Sequence, residues 1–345
     1  MKVTTHLGGG LGDLAESARL IKGLGFDGVG TTEVQHDPLV VAAAASQHLP
    51  GMELSTGIAV AFARTPMVLA YSAHDVNELT GGRFVLGLGT QVRAHVTRRF
   101  GMPWSGKPVT QMKEYVLALK HIWNGWRHDE AINFVGDTYE HTLMTPYFVP
   151  PTSTAAAPKV TIAAVGANMA RAAAEVADGV IPHGFWTRTY HDEVLLPAIN
   201  EGLAKSGRSR SDLIISAGGF TVTGETEEEF AKSKEFIRYQ IAFYGSTPTY
   251  RPVWEVHDLG DFGDTLHELS IQPDKDKWQR MTALVTDEII DLFAVQAEAK
   301  DLGEALVAAH GDYADRISLS PNYDGDLDIW KNNIAVLRRG AMQPA

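Results

Sequence analysis

Leu54-Ser55-Thr56-Gly57-Ile58-Ala59-Val60-Ala61-Phe62, then Arg64-Thr65-Pro66, and further on Gly81-Gly82-Arg83-Phe84-Val85-Leu86-Gly87-Leu88-Gly89-Thr90-Gln91, form the stretch on which the fold turns. The first run is apolar and β-branched without strict alternation, the pattern of a parallel strand covered on both faces. It is too short to cross a membrane. Pro66 suits a first helical turn, and Val68, Leu69, Ser72, Val76 and Leu79 recur at helical spacing until Gly81-Gly82 ends the helix. Arg83 to Gln91 is then a second buried strand. A strand, helix, strand unit closes by a right-handed crossover, so both strand ends point the same way and a ligand is expected beyond them.

The same alternation extends outward. Lys2 to His6 reads as a first strand, with Gly8-Gly9-Gly10-Leu11-Gly12 as its loop and Asp13, three residues before Glu16, as the N-cap of a helix. Further strands are expected over 25–31, 159–164, 178–181, 213–216 and 315–319, with helices between them, including one from Thr226-Glu227-Glu228-Glu229 to Phe243. Pairs of this kind number about eight, the count of an α/β protein built as a (β/α)8 TIM barrel, with an open doubly wound sheet as the alternative. One domain over 1–345 is expected, with irregular insertions at about 127–157 and 244–285. The helix from about Pro38 to Gln47 is alanine-rich and nearly uncharged, which predicts burial on more than one side and a second subunit against it.

Over 345 residues the formal charge is −12, which disfavours nucleic acid and anionic membranes as partners. The absence of cysteine removes disulfides, thiol nucleophiles and cysteine metal sites. Met1-Lys2-Val3-Thr4-Thr5-His6 offers no apolar leader, so a cytoplasmic enzyme acting on a small molecule is expected.

In a barrel the active mouth is built from loops after strand C-termini. That rule selects His6, Glu33 to His36, Gly57 to Phe62, Thr90 to His95, Val165 to Asn168, and His183 to Trp186. Neither Gly8-x-Gly10-x-Gly12 nor Gly87-x-Gly89 has dinucleotide or P-loop spacing. Gly166-Ala167-Asn168 opens a helix whose free N–H groups suit a phosphate, although any helix starts this way. The histidines lack zinc spacing, so no metal is expected. Glu33, just past a buried strand, is either a working carboxylate or half of an ion pair with an arginine such as Arg93 or Arg99. His36 precedes Asp37-Pro38 and has a helix-starting role as its alternative. Tyr244, Tyr250 and Trp254 either wall a pocket or pack their own excursion down.

Gly25-Phe26-Asp27-Gly28 with Glu33, Ser55 to Val60 followed by Arg64-Thr65-Pro66, Gly81 to Gly89, and Val165-Gly166-Ala167-Asn168 with Ala177-Asp178-Gly179 together resemble the bacterial luciferase-like superfamily. Arg98 to Trp104 and Ile241 to Pro248 are similar to its branch of coenzyme F420-dependent oxidoreductases. The resemblance implies a usually dimeric (β/α)8 barrel with a flavin-like ring at the C-terminal mouth. It also implies a non-proline cis peptide in the third strand, here Gly57–Ile58, with Ala59 beside it, and a cofactor phosphate near Val165, Gly166, Ala167 and Asn168. Many relatives place a histidine after the second-strand acid, whereas Val34 follows Glu33 here. His36 is therefore our own substitute for it.

The expected reaction is hydride transfer between a small organic substrate and C5 of F420. Glu33 and His36 are the candidates to move a proton, His183 is a third, Gln91 and His95 line the cofactor, and Trp186, Tyr244, Tyr250 and Trp254 wall the substrate. The alternatives are an FMN-dependent monooxygenase served by a flavin reductase, and a non-catalytic cofactor carrier.

Overall fold

A computed structural model describes residues 1–8, 10–151 and 153–340. Gly9, in the first glycine loop, and Thr152, in the first insertion, lie outside the described residues.

Eight strands make the barrel: β1 Lys2–His6, β2 Gly28–Thr31, β3 Glu53–Thr56, β4 Phe84–Gly89, β5 Lys159–Ala164, β6 Gly179–Pro182, β7 Ile214–Ile215 and β8 Arg316–Ser318. Each pairs in parallel with the next, β1 pairs in parallel with β8, and a single bridge between Ser216 and Arg316 brings the ring to closure. The open-sheet alternative is thereby excluded.

Alternation along the strands divides two jobs. Val3, Val29, Leu54, Leu86, Val160, Ile162, Val180, Ile215 and Ile317 are buried in the apolar core. The intervening positions, Thr4, His6, Gly30, Ser55, Thr161, Ser216 and Ser318, line the barrel interior. Most barrels fill that interior with bulky branched side chains. Here small and hydroxyl-bearing residues leave it hollow.

The helix Pro66–Leu79 starts where Pro66 predicts, with the Thr65 hydroxyl accepting the Val68 N–H at 3.3 Å. Gly81 and Gly82 stop it with φ of 62° and 81°, which glycine adopts without steric cost. Thr226 caps the helix Glu227–Gly245 by accepting the Glu229 N–H, while the Glu229 carboxylate accepts the Glu225 N–H one residue before the cap. Asp13 does not cap its helix: it closes a 3-10 turn, Leu11–Asp13, by accepting the Gly10 N–H.

The first insertion carries a hairpin, Phe134–Val135 against Glu140–His141. The second differs from the irregular excursion expected at 244–285. Helices Arg251–Glu255, Gly260–Ser270 and Lys277–Leu284 occupy it. They are too short to show a sustained apolar period, and their common anchor is Trp254, fully buried beneath Gly245 and Gly263, where any Cβ would collide with the indole.

Candidate active site

The hollow interior opens at the strand C-termini as a cavity of about 240 Å³. His6, from the end of β1, stands in it. A Cβ on Gly30 would lie 3.0 Å from His6 Nδ1, and one on Gly57 3.4 Å from its Cε1, so two glycines make room for the imidazole. The ring meets the cavity's solvent but is otherwise enclosed, and burial lowers its pKa, which keeps it neutral at pH 7. On the floor Arg316 makes a two-pronged pair with Glu53, which also accepts from Lys2 at 2.8 Å, so one carboxylate is shared by two cations.

The wall beside His6 is the broken third strand. β3 stops at Thr56 and resumes for Ala59–Val60, and the Gly57–Ile58 peptide between them is cis, as the resemblance implied. Thr56 bridges to β4, its hydroxyl donating to the Gly87 carbonyl at 2.7 Å and accepting the Gly87 N–H at 2.9 Å. A Cβ on Gly87 would come 1.9 Å from the Thr56 carbonyl oxygen, and one on Gly89 2.8 Å from the Ile58 side chain. Both glycines therefore sit within a strand and admit the bulge.

Glu33 reaches this bulge from below. Its Oε2 accepts the Val60 N–H at 2.7 Å and Arg64 Nη1 at 2.8 Å, and its Oε1 accepts Arg64 Nη2 at 3.0 Å. The partner is Arg64, not Arg93 or Arg99, and Arg99 instead donates to the Val34 carbonyl at 2.8 Å. With both oxygens engaged, Glu33 holds the bulge in place and presents no free carboxylate. Arg64 also grips Asp37 at 2.7 Å, and Asp37 caps the helix Pro38–Ser46 through the Leu39 and Val40 N–H groups. His36 is exposed on the rim of a second depression, about 210 Å³, bordered by Leu11, Val34 and Val41. It does not reach the cavity of His6.

His183 stands closer, because its neighbours Pro182 and Gly184 line the cavity. Its Nδ1 accepts the Phe185 N–H at 3.0 Å, and its ring packs on Tyr244 and Tyr250 at centroid distances of 4.7 and 4.9 Å. Burial pushes its pKa down to about 4 and that of Tyr250 up to about 12. The expected aromatic wall thus splits in two. Tyr244 and Tyr250 are half-buried beside His183, whereas Trp254 donates Nε1 to the Gly245 carbonyl within the core, and Trp186 is buried behind Gly218. Neither tryptophan walls the cavity.

Beyond β5, the strand paired with β6, Gly166 precedes the helix Ala167–Val176. It is extended, no side chain caps the helix, and a Cβ on Gly166 would meet nothing within 4 Å. Open space before uncapped N–H groups suits a phosphate, and the Val165 carbonyl is held by Tyr190 Oη at 3.1 Å. The Asn168 side-chain Oδ1 accepts from Arg171 Nη1 at 2.8 Å. Gln91, half-buried with φ of 58°, turns the chain out of β4 towards His95, which is exposed.

Of the residues selected at the mouth, His6, Gly57 and Gly184 line the cavity, and Ile58 and His183 each adjoin a lining residue in the chain. Thr4, Ser55, Thr161, Ser216, Arg316 and His310 also line the cavity, beyond the residues expected from the sequence. The first five were legible as the small or polar alternate positions of apolar strands. His310 ends a helix and gives no such signal.

Among the described residues no group of three or more histidine, aspartate or glutamate side chains could hold a metal ion, and no helix is long and apolar enough to cross a membrane.

Residues 2–316 match the model of the luciferase-like monooxygenase family. An uncharacterized protein of Mycobacterium tuberculosis is 42% identical over 85% of this chain and 85% of its own. A 5,10-methylenetetrahydromethanopterin reductase of Archaeoglobus fulgidus is 28% identical over 74% and 72%, and an F420-dependent glucose-6-phosphate dehydrogenase of Intrasporangium calvum 29% over 55% and 59%. Among solved structures, the coenzyme F420-dependent tetrahydromethanopterin reductase of Methanopyrus kandleri superposes with a TM-score of 0.74 at 16% identity, covering 99% of this chain and 97% of that one. The EDTA monooxygenase of Chelativorans superposes with a TM-score of 0.70 at 16% identity, covering 99% and 95%.

Proposed function

The chain belongs to the luciferase-like monooxygenase family, and on that premise we propose that it is a coenzyme F420-dependent oxidoreductase acting on a small organic substrate. When bound, the deazaflavin would supply the hydride donor or acceptor at C5. The observation that carries the reading is the pairing of an open, uncapped helix start at Gly166 with the Gly57–Ile58 bulge on a cavity edged by neutral imidazoles. Gly166, Ala167 and Asn168 would hold the phosphate, and Gly57, Ile58 and Ala59 would back the ring. Glu33 would fix that backing, and His183 would stay neutral beside it. The named activity of the Intrasporangium relative supports F420 over FMN.

The proposal extends to a cytoplasmic homodimer. Its support is the uncharged helix Pro38–Ser46, which leaves Val40 58% exposed, with Val34 and Val68 also exposed. Titration of the purified protein with F420 and with FMN tests the cofactor. Fluorescence quenching and a raised melting temperature are expected with F420 alone. Tight FMN binding without F420 binding would overturn the reading in favour of a monooxygenase that draws reduced flavin from a partner reductase.

A further inference from the structure

Acids collar the lower rim of the barrel, where the strands begin. Asp27 accepts the Val3 N–H, Asp178 the Val160 N–H and Asp315 the Ile215 N–H, each at 2.8 Å. Among the described residues each of these acids has a single cationic partner: Arg338 at 2.7 Å, Lys120 at 2.9 Å and Arg210 at 2.8 Å. Glu53, which opens β3, departs from this pattern by holding both Lys2 and Arg316. Four acids thus meet five cations.

The surplus charge lies towards the hollow interior. The Lys2 side chain is 53% exposed, whereas that of Arg316 is 11% exposed and lines the cavity. Both Nη atoms of Arg316 are taken by Glu53. Its Nε bonds no protein group among the described residues and is not sealed from solvent, so the Nε–H faces the interior.

Strand register sets hydroxyls around that N–H. Ser216 bridges to Arg316 from the adjacent strand, at the usual spacing of about 4.8 Å, and Ser318 is the next inward residue of β8, about 6.6 Å further up. Both line the cavity. Neither hydroxyl has a partner among the described residues, Ser318 is exposed to the hollow, and the Ser216 oxygen is not sealed. Thr4, paired in register with Ser318, donates instead to the Ile317 carbonyl at 3.2 Å. Three unengaged donors therefore stand beside one surplus positive charge inside apolar walls, which focus its field on the enclosed space. Such a place takes an anion, and a monoanion rather than a phosphate dianion, whose second charge would be buried without a match.

We propose that the floor of the barrel is an anion site, and that the substrate is an organic acid whose carboxylate accepts from Arg316 Nε–H and from the Ser216 and Ser318 hydroxyls. The inference rests on the F420 reading above for the reacting end of that acid. β1 climbs about 13 Å from Lys2, beside Arg316, to His6 at the mouth. The reacting carbon is accordingly several bonds from the carboxylate, and the chain between them rises through the hollow interior to the ring.

Acetate, its uncharged counterpart acetamide, and octanoate are the probes, titrated calorimetrically into the whole protein with and without saturating oxidised F420. Ser216→Ala, Ser318→Ala and Arg316→Lys are compared with the wild type. Acetate should bind with a Kd of about 1 mM, a fair value for so small a ligand, and acetamide at least about tenfold more weakly. Each serine variant should weaken acetate about tenfold, the scale of a hydrogen bond to a charged group, and Arg316→Lys, which keeps the charge but has no Nε–H, by as much or more. F420 affinity should stay within about twofold throughout. Octanoate should bind more tightly than acetate and alter the fluorescence of bound F420, because its chain reaches the ring. No acetate binding, equal binding of acetamide, or wild-type acetate affinity in the serine variants sinks the inference, while F420 binding leaves the cofactor reading standing. Acetate binding with octanoate no tighter and silent in fluorescence makes the floor a site for a free anion and overturns the organic-acid substrate. Failure of the wild type to bind F420 sinks the cofactor reading and the substrate assignment together, and acetate binding then reports on the floor alone. If Arg316→Lys does not fold, the serine variants decide.

Discussion

Glu33 illustrates how a residue in the right place takes a structural task. Its side chain is 6% exposed, and its two oxygens accept three hydrogen bonds, two from Arg64 and one from the bulge at Val60. Removing one charge of a buried pair leaves the other without its match, at a cost of about 3 kcal/mol or more. Glu33→Gln is therefore expected to lose stability of that order in urea unfolding, with Asp37 left as the acid facing Arg64. A free proton carrier would behave oppositely, losing turnover at unchanged stability. The glycines of β4 admit a similar comparison. Gly87→Ala would set a Cβ 1.9 Å from the Thr56 carbonyl, a clash with backbone that no rotamer relieves, whereas Gly12→Ala meets nothing within 4 Å. The first should cost about 4 kcal/mol or prevent folding and the second should change stability by less than about 0.5 kcal/mol, read as shifts in the urea midpoint.

At the level of the element, the strands were the most legible part of the chain, because buried parallel strands are apolar runs of fixed length between glycine and proline stops. The break in β3 was not legible from periodicity. Leu54 to Phe62 reads as one uninterrupted apolar run, and only the resemblance pointed to the Gly57–Ile58 bond that divides it. The aromatic residues were legible as important but not as to role, since burial depends on which neighbours lack a Cβ: Trp254 is sealed by Gly245 and Gly263, residues nine positions from it on either side. His310 was invisible because a helix end gives no periodic sign of which side chain meets a cavity, and its partner Tyr313 lies in the irregular turn that follows. The helix start at Gly166 offers a test that separates element from ligand. Aspartate is a good N-cap and its charge suits a helix N-terminus, so Gly166→Asp should leave the melting temperature unchanged or slightly higher. The same carboxylate would occupy and repel a phosphate site. F420 affinity should fall by about tenfold or more in a fluorescence titration, and unchanged affinity would move the phosphate elsewhere.

For the whole molecule, several histidines are buried and have a lowered pKa, and this sets how the protein meets acid. Burial depresses the pKa of His183 and His310 to about 4, and it lowers His6 and His191 as well. A histidine whose pKa is lower folded than unfolded contributes stability above its unfolded value of about 6.5. Between that pH and the folded value the unfolded chain binds more protons than the native one, so stability falls as pH falls. For His183 there is a structural reason besides desolvation, since its Nδ1 accepts the Phe185 N–H and cannot take a proton without losing that bond. The carboxylates with lowered pKa, such as Glu175 between Lys113 and Lys205, act below the range in which the histidines do. Acid unfolding should therefore begin in the histidine window, near pH 6.5 to 4, with a slope approaching 1.4 kcal/mol per pH unit for each depressed ring. Urea midpoints across that range should fall steeply for the wild type and less steeply for His183→Gln combined with His310→Gln, although both proteins lose stability below pH 4. An equal slope in the two would mean that the rings titrate normally and that their surroundings are as wet as bulk solvent.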